Sequence, residues 1–306
     1  MRKLLKNILY RGINITEYTS ITLNKNISEK VFFEIAGSRI DVSVDHWALS
    51  LQPVVFGIWI SKDLSDLSQD RNGKLLFEEK NGKKLAEVRI SIVDRINEKN
   101  GCLFLARVEE CKLFHVTPLE SYLLYKVYYR KPGYSFYKFK TFVAAFSYPR
   151  KVRLVSFKNE SYYNIFPMDF VGKIGQSNYY VFGLRHTNQA LPEIIKEKKI
   201  VVSEVPLTYK KYIYQLGSHH SSQPPPLEQL PFKTIKSKNF GFPIPEDAEC
   251  YNEINLTRNI NLGSHMLLWG ESTDEEIIGT GQGNLYHIHF LLDLFLERNG
   301  LSYGRV

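Results

Sequence analysis

Short runs of aromatic and β-branched residues, closed off every few positions by Gly, Asn or Pro, direct this chain toward a mainly β fold. Val31-Phe32-Phe33-Glu34-Ile35 is strand-like, and Arg39-Ile40-Asp41-Val42-Ser43-Val44 alternates polar and apolar as a half-buried strand does. Pro53-Val54-Val55-Phe56-Gly57-Ile58-Trp59-Ile60 reads as a buried strand. Asn72-Gly73 carries a hairpin-turn signal, and Ala86 to Val93 and Cys102 to Val108 complete the set. Few helical patterns interrupt this half.

The stretch from Tyr128 to Pro149 is rich in Tyr, Phe and Lys and turns at Lys131-Pro132-Gly133. It places a domain boundary near residue 140, between a β-rich domain at 1–140 and a second unit at 141–306. Its interleaved rings and cations could stack nucleic-acid bases. The reading preferred here is a pair of strands with a buried aromatic face and a wet Lys face.

The second half repeats the β character. Val152 to Phe157, Tyr179 to Leu184, Lys199 to Val205, Glu253 to Leu256 and Met266 to Glu271 read as strands, with Gly263 turning between the last two. Gln189 to Lys198 reads as a short helix, and Ser222 to Pro231, with three consecutive prolines, as a loop. Leu285, Ile288, Leu291, Leu292 and Phe295 follow helical spacing toward an Asn299-Gly300 cap, which predicts a terminal helix over Leu285 to Arg298. On such a helix His287 and His289 would face different directions and make a poor metal pair.

The formal charge of +8 attracts anions, but the cations are scattered in pairs such as Lys83-Lys84 and Lys210-Lys211. A solvated basic surface follows, with nucleic-acid binding the weaker alternative. Cys102, Cys111 and Cys250 form no metal spacing, and the basic start lacks a continuous apolar core, so a cytoplasmic protein with reduced thiols is expected. No stretch approaches the length of apolar sequence a membrane helix needs. No Walker loop, G-x-G-x-x-G, H-E-x-x-H or G-x-S-x-G occurs.

Five segments between about residues 142 and 273 carry a more specific signal. The first is Val155 to Asn159 running into Asn164-Ile165-Phe166-Pro167-Met168-Asp169. The second is Val181-Phe182-Gly183-Leu184-Arg185-His186-Thr187-Asn188. The third is Lys199 to Pro206, the fourth Leu216-Gly217-Ser218-His219-His220-Ser221. The fifth runs from Gly241-Phe242-Pro243 through Glu249-Cys250-Tyr251 to Leu262-Gly263-Ser264-His265-Met266 and Gly270-Glu271. In that order they resemble the flavin reductase-like FMN-binding split barrel.

The resemblance implies an FMN site. Asn164, Ile165, Phe166, Pro167 and Met168 would lie beside the ribityl chain and ring. Arg185, His186, Thr187 and Asn188 would hold the phosphate, helped by the first N–H groups of the following helix. Ser203 stands where the family pattern has Asn, and with Glu204 beside it puts flavin contacts there in question. His220 and Ser221 belong to the loop facing the flavin, and His265 is the candidate catalytic residue, its alternative being a structural turn histidine. The implied activity is hydride transfer from NADH or NADPH to the flavin; the alternative is an FMN-binding module that serves a partner protein without efficient turnover.

Two segments of the first half parallel the second. Val55-Phe56-Gly57-Ile58-Trp59 matches Val181 to Arg185, and Asn100 to Glu109 matches Leu262 to Glu271. They suggest a degenerate second split barrel lacking its own flavin, with Trp59 at the phosphate-turn arginine and Cys102 near the His265 position. An unrelated β module is the other reading. Members of the resembled family are typically homodimers, so this chain is expected either to dimerise or to build the equivalent interface internally.

Overall fold

The computed structural model describes residues 18–22, 27–62, 70–220, 222–279, 284–300 and 303–305. Strand β1 (Tyr18–Thr22) is followed by β2 (Lys30–Ile35), β3 (Ser38–Asp41), β4 (His46–Leu51), β5 (Val54–Ser61), β6 (Asn72–Glu78), β7 (Lys84–Glu98) and β8 (Gly101–Leu113). Two helices, α1 (Pro118–Leu124) and α2 (Phe136–Ala145), lead to β9 (Arg150–Lys151), β10 (Arg153–Lys158), β11 (Tyr163–Met168), β12 (Val171–Lys173) and β13 (Tyr179–Arg185). Then come α3 (Leu191–Glu197), β14 (Lys199–Glu204), α4 (Lys210–Leu216), β15 (Thr234–Lys236), β16 (Pro243–Pro245), β17 (Cys250–Asn261), β18 (His265–Ile277), β19 (Leu285–His289), α5 (Phe290–Arg298) and β20 (Gly304–Arg305).

The fold is mainly β, and its two large sheets have one plan. The first runs β3-β2-β6-β7-β8-β5-β4 and the second β11-β10-β14-β17-β18-β13-β12, each seven strands. Taken in chain order, strand for strand, these are the same sequence of pairings. The register agrees as well: Gly57 faces Leu105 across β5 and β8, and Gly183 faces Leu267 across β13 and β18. Trp59 therefore occupies the place of Arg185, as the paired segments suggest. Leu103, rather than Cys102, occupies that of His265.

The sequence of β8 explains how the sheets meet. Its first six residues, Gly101 to Ala106, are all buried, and alternation begins only at Arg107. Phe104 and Ala106 belong to the main apolar cluster, whereas Leu103 and Leu105, on the other face, belong to a second. β18 behaves alike: Leu268 joins the first cluster, Leu267 and Trp269 the second, before alternation sets in. That second cluster, which also holds Trp47, Leu49, Val55, Ile174 and Val181, is a seam drawn from both sheets.

Along the seam β4 lies across β12, β13 and β18. Two glycines permit it. A Cβ at Gly183 would stand 2.1 Å from the Leu49 carbonyl oxygen, and one at Gly172 would stand 1.6 Å from Trp47 Nε1. The halves thus pack backbone against backbone at the first contact.

Several sequence expectations are corrected. Asn72 and Gly73 do not turn; they open β6, and a Cβ on Gly73 would lie 2.7 Å from the Phe33 ring and 2.9 Å from the Glu34 carbonyl oxygen. The glycine is there for close approach. The expected strand pair in 128–149 is instead helix α2, capped by the Ser135 hydroxyl accepting from Lys138 N–H, with Phe139, Phe142, Val143 and Phe146 recurring at helical intervals along its buried face. Residue 140 falls within this helix. The Lys131 to Tyr134 turn is present, with Gly133 at φ 74°. The terminal helix is shorter than expected: Leu285 to His289 form β19, paired with β1 and β9, and α5 begins at Phe290. Leu285, Ile288, Leu292 and Phe295 are nevertheless all buried. No helix among the described residues is long and apolar enough to cross a membrane.

Introducing a methyl group at the seam should be costly. Gly183→Ala is expected to lose about 1–3 kcal/mol, or more because the obstacle is backbone, read as a lower urea midpoint. Gly217→Ala, whose added Cβ meets nothing within 4 Å, is the control and should not fall. Equal midpoints for both variants would show that the seam yields easily.

Candidate functional site

A cavity of about 320 Å³ opens between the end of β11, the β13 terminus, the 3₁₀ turn after α4, and β19. Phe166, Pro167, Met168, Asp169 and Phe170 form one wall, Gly183, Leu184, Arg185 and Asn188 another. Gly217, His220, His265 and His287 complete it, and Leu51 reaches in from the first sheet. Pocket volumes of this order are usual for small-molecule sites.

The predicted residues divide clearly. Phe166, Pro167, Met168, Arg185, Asn188, His220 and His265 line this one cavity, although they come from four separated stretches. Asn164 and Ile165 do not. Ile165 faces a different apolar cluster, and Asn164 is fully buried, its Nδ2 donating to the Tyr162 hydroxyl and the His219 carbonyl, each at 2.7 Å. Both brace the β11 segment rather than line the cavity. Ser203 is also fully buried and outside the lining. Glu204 is held by Lys151 and Arg153 and is not among the cavity lining. Ser221 lies outside the described residues.

At the β13 end, Arg185, His186 and Thr187 are exposed. Among the described residues no carboxylate forms an ion pair with Arg185, so its charge is open to a ligand. His186 is turned away, its Nε2 at 3.2 Å from Asn261 Oδ1. Asn188 is the structural member of the turn. Its N–H donates to the Arg185 carbonyl, its Oδ1 accepts from Ala190 N–H at 2.9 Å, and its carbonyl from Leu191 N–H at 3.1 Å. Pro192 has no N–H to offer. The start of α3 therefore spends two of its donors internally and has a third missing, which corrects the expectation that this helix terminus holds an anion.

His265 is positioned from the other half of the chain. Ser264 Oγ accepts from Gln52 N–H at 2.9 Å, and Ser264 N–H donates to the Gln52 carbonyl at 2.9 Å. The same hydroxyl lies 2.8 Å from His265 Nδ1 and 3.2 Å from Ser50 Oγ. The Ser264 hydroxyl, with one proton and two lone pairs, can bond Nδ1 in either direction, so it holds the ring in place whichever nitrogen carries the proton. Burial, then the nearby Arg185, push the imidazole down to about 3, so it is neutral across the physiological range. Its ring sits 5.5 Å from that of Phe170. Gly263, at φ 100°, makes the turn possible, and a Cβ there would strike the Gln52 carbonyl at 2.5 Å.

The lining groups given no role from sequence include Leu51, Asp169, Phe170 and His287. His287 Nδ1 is 3.1 Å from Asp169 Oδ2. His289, two residues on at the end of β19, is fully buried and caps α5 by accepting from Leu291 N–H at 3.1 Å. No group of metal-ligating side chains occurs among the described residues.

Several rings of the 128–149 stretch are packed inward, whereas Tyr137 is exposed. Tyr129, Phe139 and Val143 belong to one apolar cluster and Phe142, Phe146 and Tyr148 to the main core.

No family model matches the chain, and no curated protein matches it. Solved structures do resemble part of it. An FMN-binding protein from Thermus thermophilus, with bound 1-cyclohex-2-enone, shares 20% identity over 42% of this chain and 71% of its own, with a TM-score of 0.37. The NADH:FAD oxidoreductase SgcE6 of Streptomyces globisporus shares 15% over 48% of this chain and 86% of its own, at 0.43. BorF, the flavin reductase component of a bacterial two-component tryptophan halogenase, shares 14% over 47% and 90%, also at 0.43.

Acid should unfold this protein through its buried histidines. Burial pushes His46 and His265 down to about 3 and His115 to about 4, against 6.5 when exposed. Below about pH 6.5 the unfolded chain takes up protons that the native chain refuses. Stability is thus full above that pH and falls toward pH 4, by up to about 1.4 kcal/mol per pH unit for each histidine. Urea midpoints measured from neutral to acid pH should decline, and His115→Gln should reduce the slope; an unchanged slope in that variant contradicts the assignment. What the likenesses to solved structures describe is fold, over less than half of this chain, in flavin reductases and FMN-binding proteins.

Proposed function

We propose that this chain is an FMN-dependent oxidoreductase of the flavin reductase type, drawing on NADH or NADPH, with two split-barrel units joined in one chain and a single flavin site. One observation carries the reading. Residues selected from the sequence for FMN, on β11, at the β13 turn, after α4 and at the start of β18, line one cavity.

The cavity's chemistry suits the group. Phe166, Met168, Phe170, Leu184 and Leu51 offer apolar walls to a flat ring system. Arg185, exposed at one edge beside Thr187, is a cation for a terminal phosphate. A single such cation favours FMN over the longer diphosphate of FAD. His265, neutral and held by the Ser264 hydroxyl, presents its imidazole toward the ring or a nicotinamide. Bound FMN would supply the two-electron chemistry, while these side chains bind it, orient it and keep water from it.

The reading without turnover drew its force from Ser203 and Glu204. Both lie outside the cavity lining, so their identities do not argue against catalysis. The equivalent place in the first sheet suits no flavin. Trp59 replaces Arg185 and the fully buried Leu103 replaces His265. The β6–β7 connection is a tight turn from Glu78 to Lys84, where the second sheet inserts residues 205–249, including Gly217 and His220. Three unpaired cysteines suit a reducing compartment such as the cytoplasm.

Purified protein should be yellow or turn yellow with FMN, at one flavin per chain, and should bleach anaerobically with NADH or NADPH. Two flavins per chain would remove the one-site claim, and a colourless protein that ignores FMN would remove the whole reading. Arg185→Ala should weaken FMN by about ten- to a hundred-fold, the equivalent of about 1.5–3 kcal/mol for a charge-assisted hydrogen bond. Riboflavin, which lacks the phosphate, should bind the variant as it binds the wild type; parallel losses for both ligands would refute the phosphate assignment.

A further inference from the structure

We propose that His287 takes up a proton when flavin in this cavity is reduced, with Asp169 and Arg150 fixing the charge around it; the inference rests on the flavin reading above. His287 belongs to β19, outside the segment that resembles the flavin proteins, and is brought to the cavity by pairing with Arg150 of β9.

Three histidines line the cavity, and their partners differ. His265 is neutral and sits near Arg185, whose charge opposes protonation. His220 has Nδ1 2.7 Å from the Gly217 carbonyl oxygen, which a neutral ring satisfies by carrying its proton there. His287 has Nδ1 3.1 Å from a carboxylate, the one neighbour of the three that stabilises an imidazolium. Burial alone would push the Asp169 carboxyl up, but the hydrogen bond from His287, the charge of that ring whenever it is protonated, and the charge of Arg150 outweigh it and hold it below the ordinary carboxylate range. Arg150 is buried, which lowers it to about 10, and its Nε donates to the Ala145 carbonyl at 2.6 Å. It is charged at neutral pH.

The charge count gives the direction. Asp169 and Arg150 cancel, and Arg185 would be engaged by the phosphate, so around an oxidised, uncharged flavin ring the site is balanced while His287 is neutral. A dihydropyridine nucleotide delivers a hydride, two electrons and one hydrogen nucleus, and the ring system becomes an anion. The uncompensated charge lies in a cavity where His265 resists a proton. His287 then binds one proton from water and restores the balance. Among the described residues, the titratable groups facing His287 are Asp169 after β11, Arg150 opposite it on β9 and, across the cavity, His265, Arg185 and His220; the next residue of β9, Lys151, turns to the other face and pairs with Glu204. The partner of His287 on β1, Ser20, carries no charge.

The test is the pH dependence of the flavin midpoint potential, with FMN-loaded protein reduced by dithionite against a redox dye at mildly alkaline pH. Each proton coupled to a two-electron reduction contributes about 30 mV per pH unit. Wild-type protein should show twice that slope, one proton on the ring and one on His287, and His287→Gln should show the single value. Asp169→Asn should also flatten the slope, which covers the case in which the first variant does not fold. A single-proton slope in the wild type, or a double slope retained in His287→Gln, would overturn the proposal while leaving flavin binding intact. Wild-type protein that binds no FMN would overturn this proposal and the flavin reading together.

Discussion

The packing of β4 across β12, β13 and β18 is the contact on which the rest of the molecule depends. It puts Leu49 between the glycines of two sheets, Gly57 on one side and Gly183 on the other, at distances no larger residue would accept. Each sheet alone would leave one face of its central strands in water: Leu103 and Leu105 on β8, Leu267 and Trp269 on β18. Burying such side chains is worth roughly 1.5–3 kcal/mol each, and here each sheet supplies the cover for the other. Homodimers solve the same problem with a second chain. A repeated strand order within one chain solves it without the entropy loss of association.

The same contact builds the site. The chain leaves β4 through Leu51 and Gln52, and both reach the second half. Leu51 enters the cavity wall, while Gln52 exchanges two backbone-level hydrogen bonds with Ser264, whose hydroxyl fixes His265. The orientation of the buried His265 is therefore set from the first half of the chain. In the first sheet Trp59 and Leu103 fill the places that Arg185 and His265, which line the cavity, hold in the second.

Much of this was legible in the sequence, because period-two alternation and apolar runs mark strands locally. The parallel between Val55 to Trp59 and Val181 to Arg185 proved a parallel of sheet position, correct to the residue. What misled was information held elsewhere in the chain. Gly73 looks like a turn residue until Phe33 is seen pressed against it. Leu285 and Ile288 continue the spacing of a real helix, yet strand partners at Ser20 and Arg150 claim the segment. The aromatic residues of α2 fit either a strand face or a helix stripe, and the Ser135 cap was the local sign that decides for helix. Asp169 was visible beside the Pro167 motif, but its importance comes from His287, a residue 118 positions away.

The electrostatics of the cavity follow from its depth. A charged group taken from water must be matched or neutralised, and each route is used here. His265 gives up its charge to burial. Asp169 keeps its charge because Arg150 and His287 surround it. Arg185 keeps its charge by staying at the exposed rim. The result is a slot whose floor is balanced and whose edge is cationic, so an anionic tail is attracted to the rim while an uncharged ring enters at little electrostatic cost. A ring that gains a negative charge after entry meets a floor with no spare cation. Either the ring stays hard to reduce or a floor group changes its protonation, and the carboxylate-backed imidazole of His287 is the group whose chemistry permits the change.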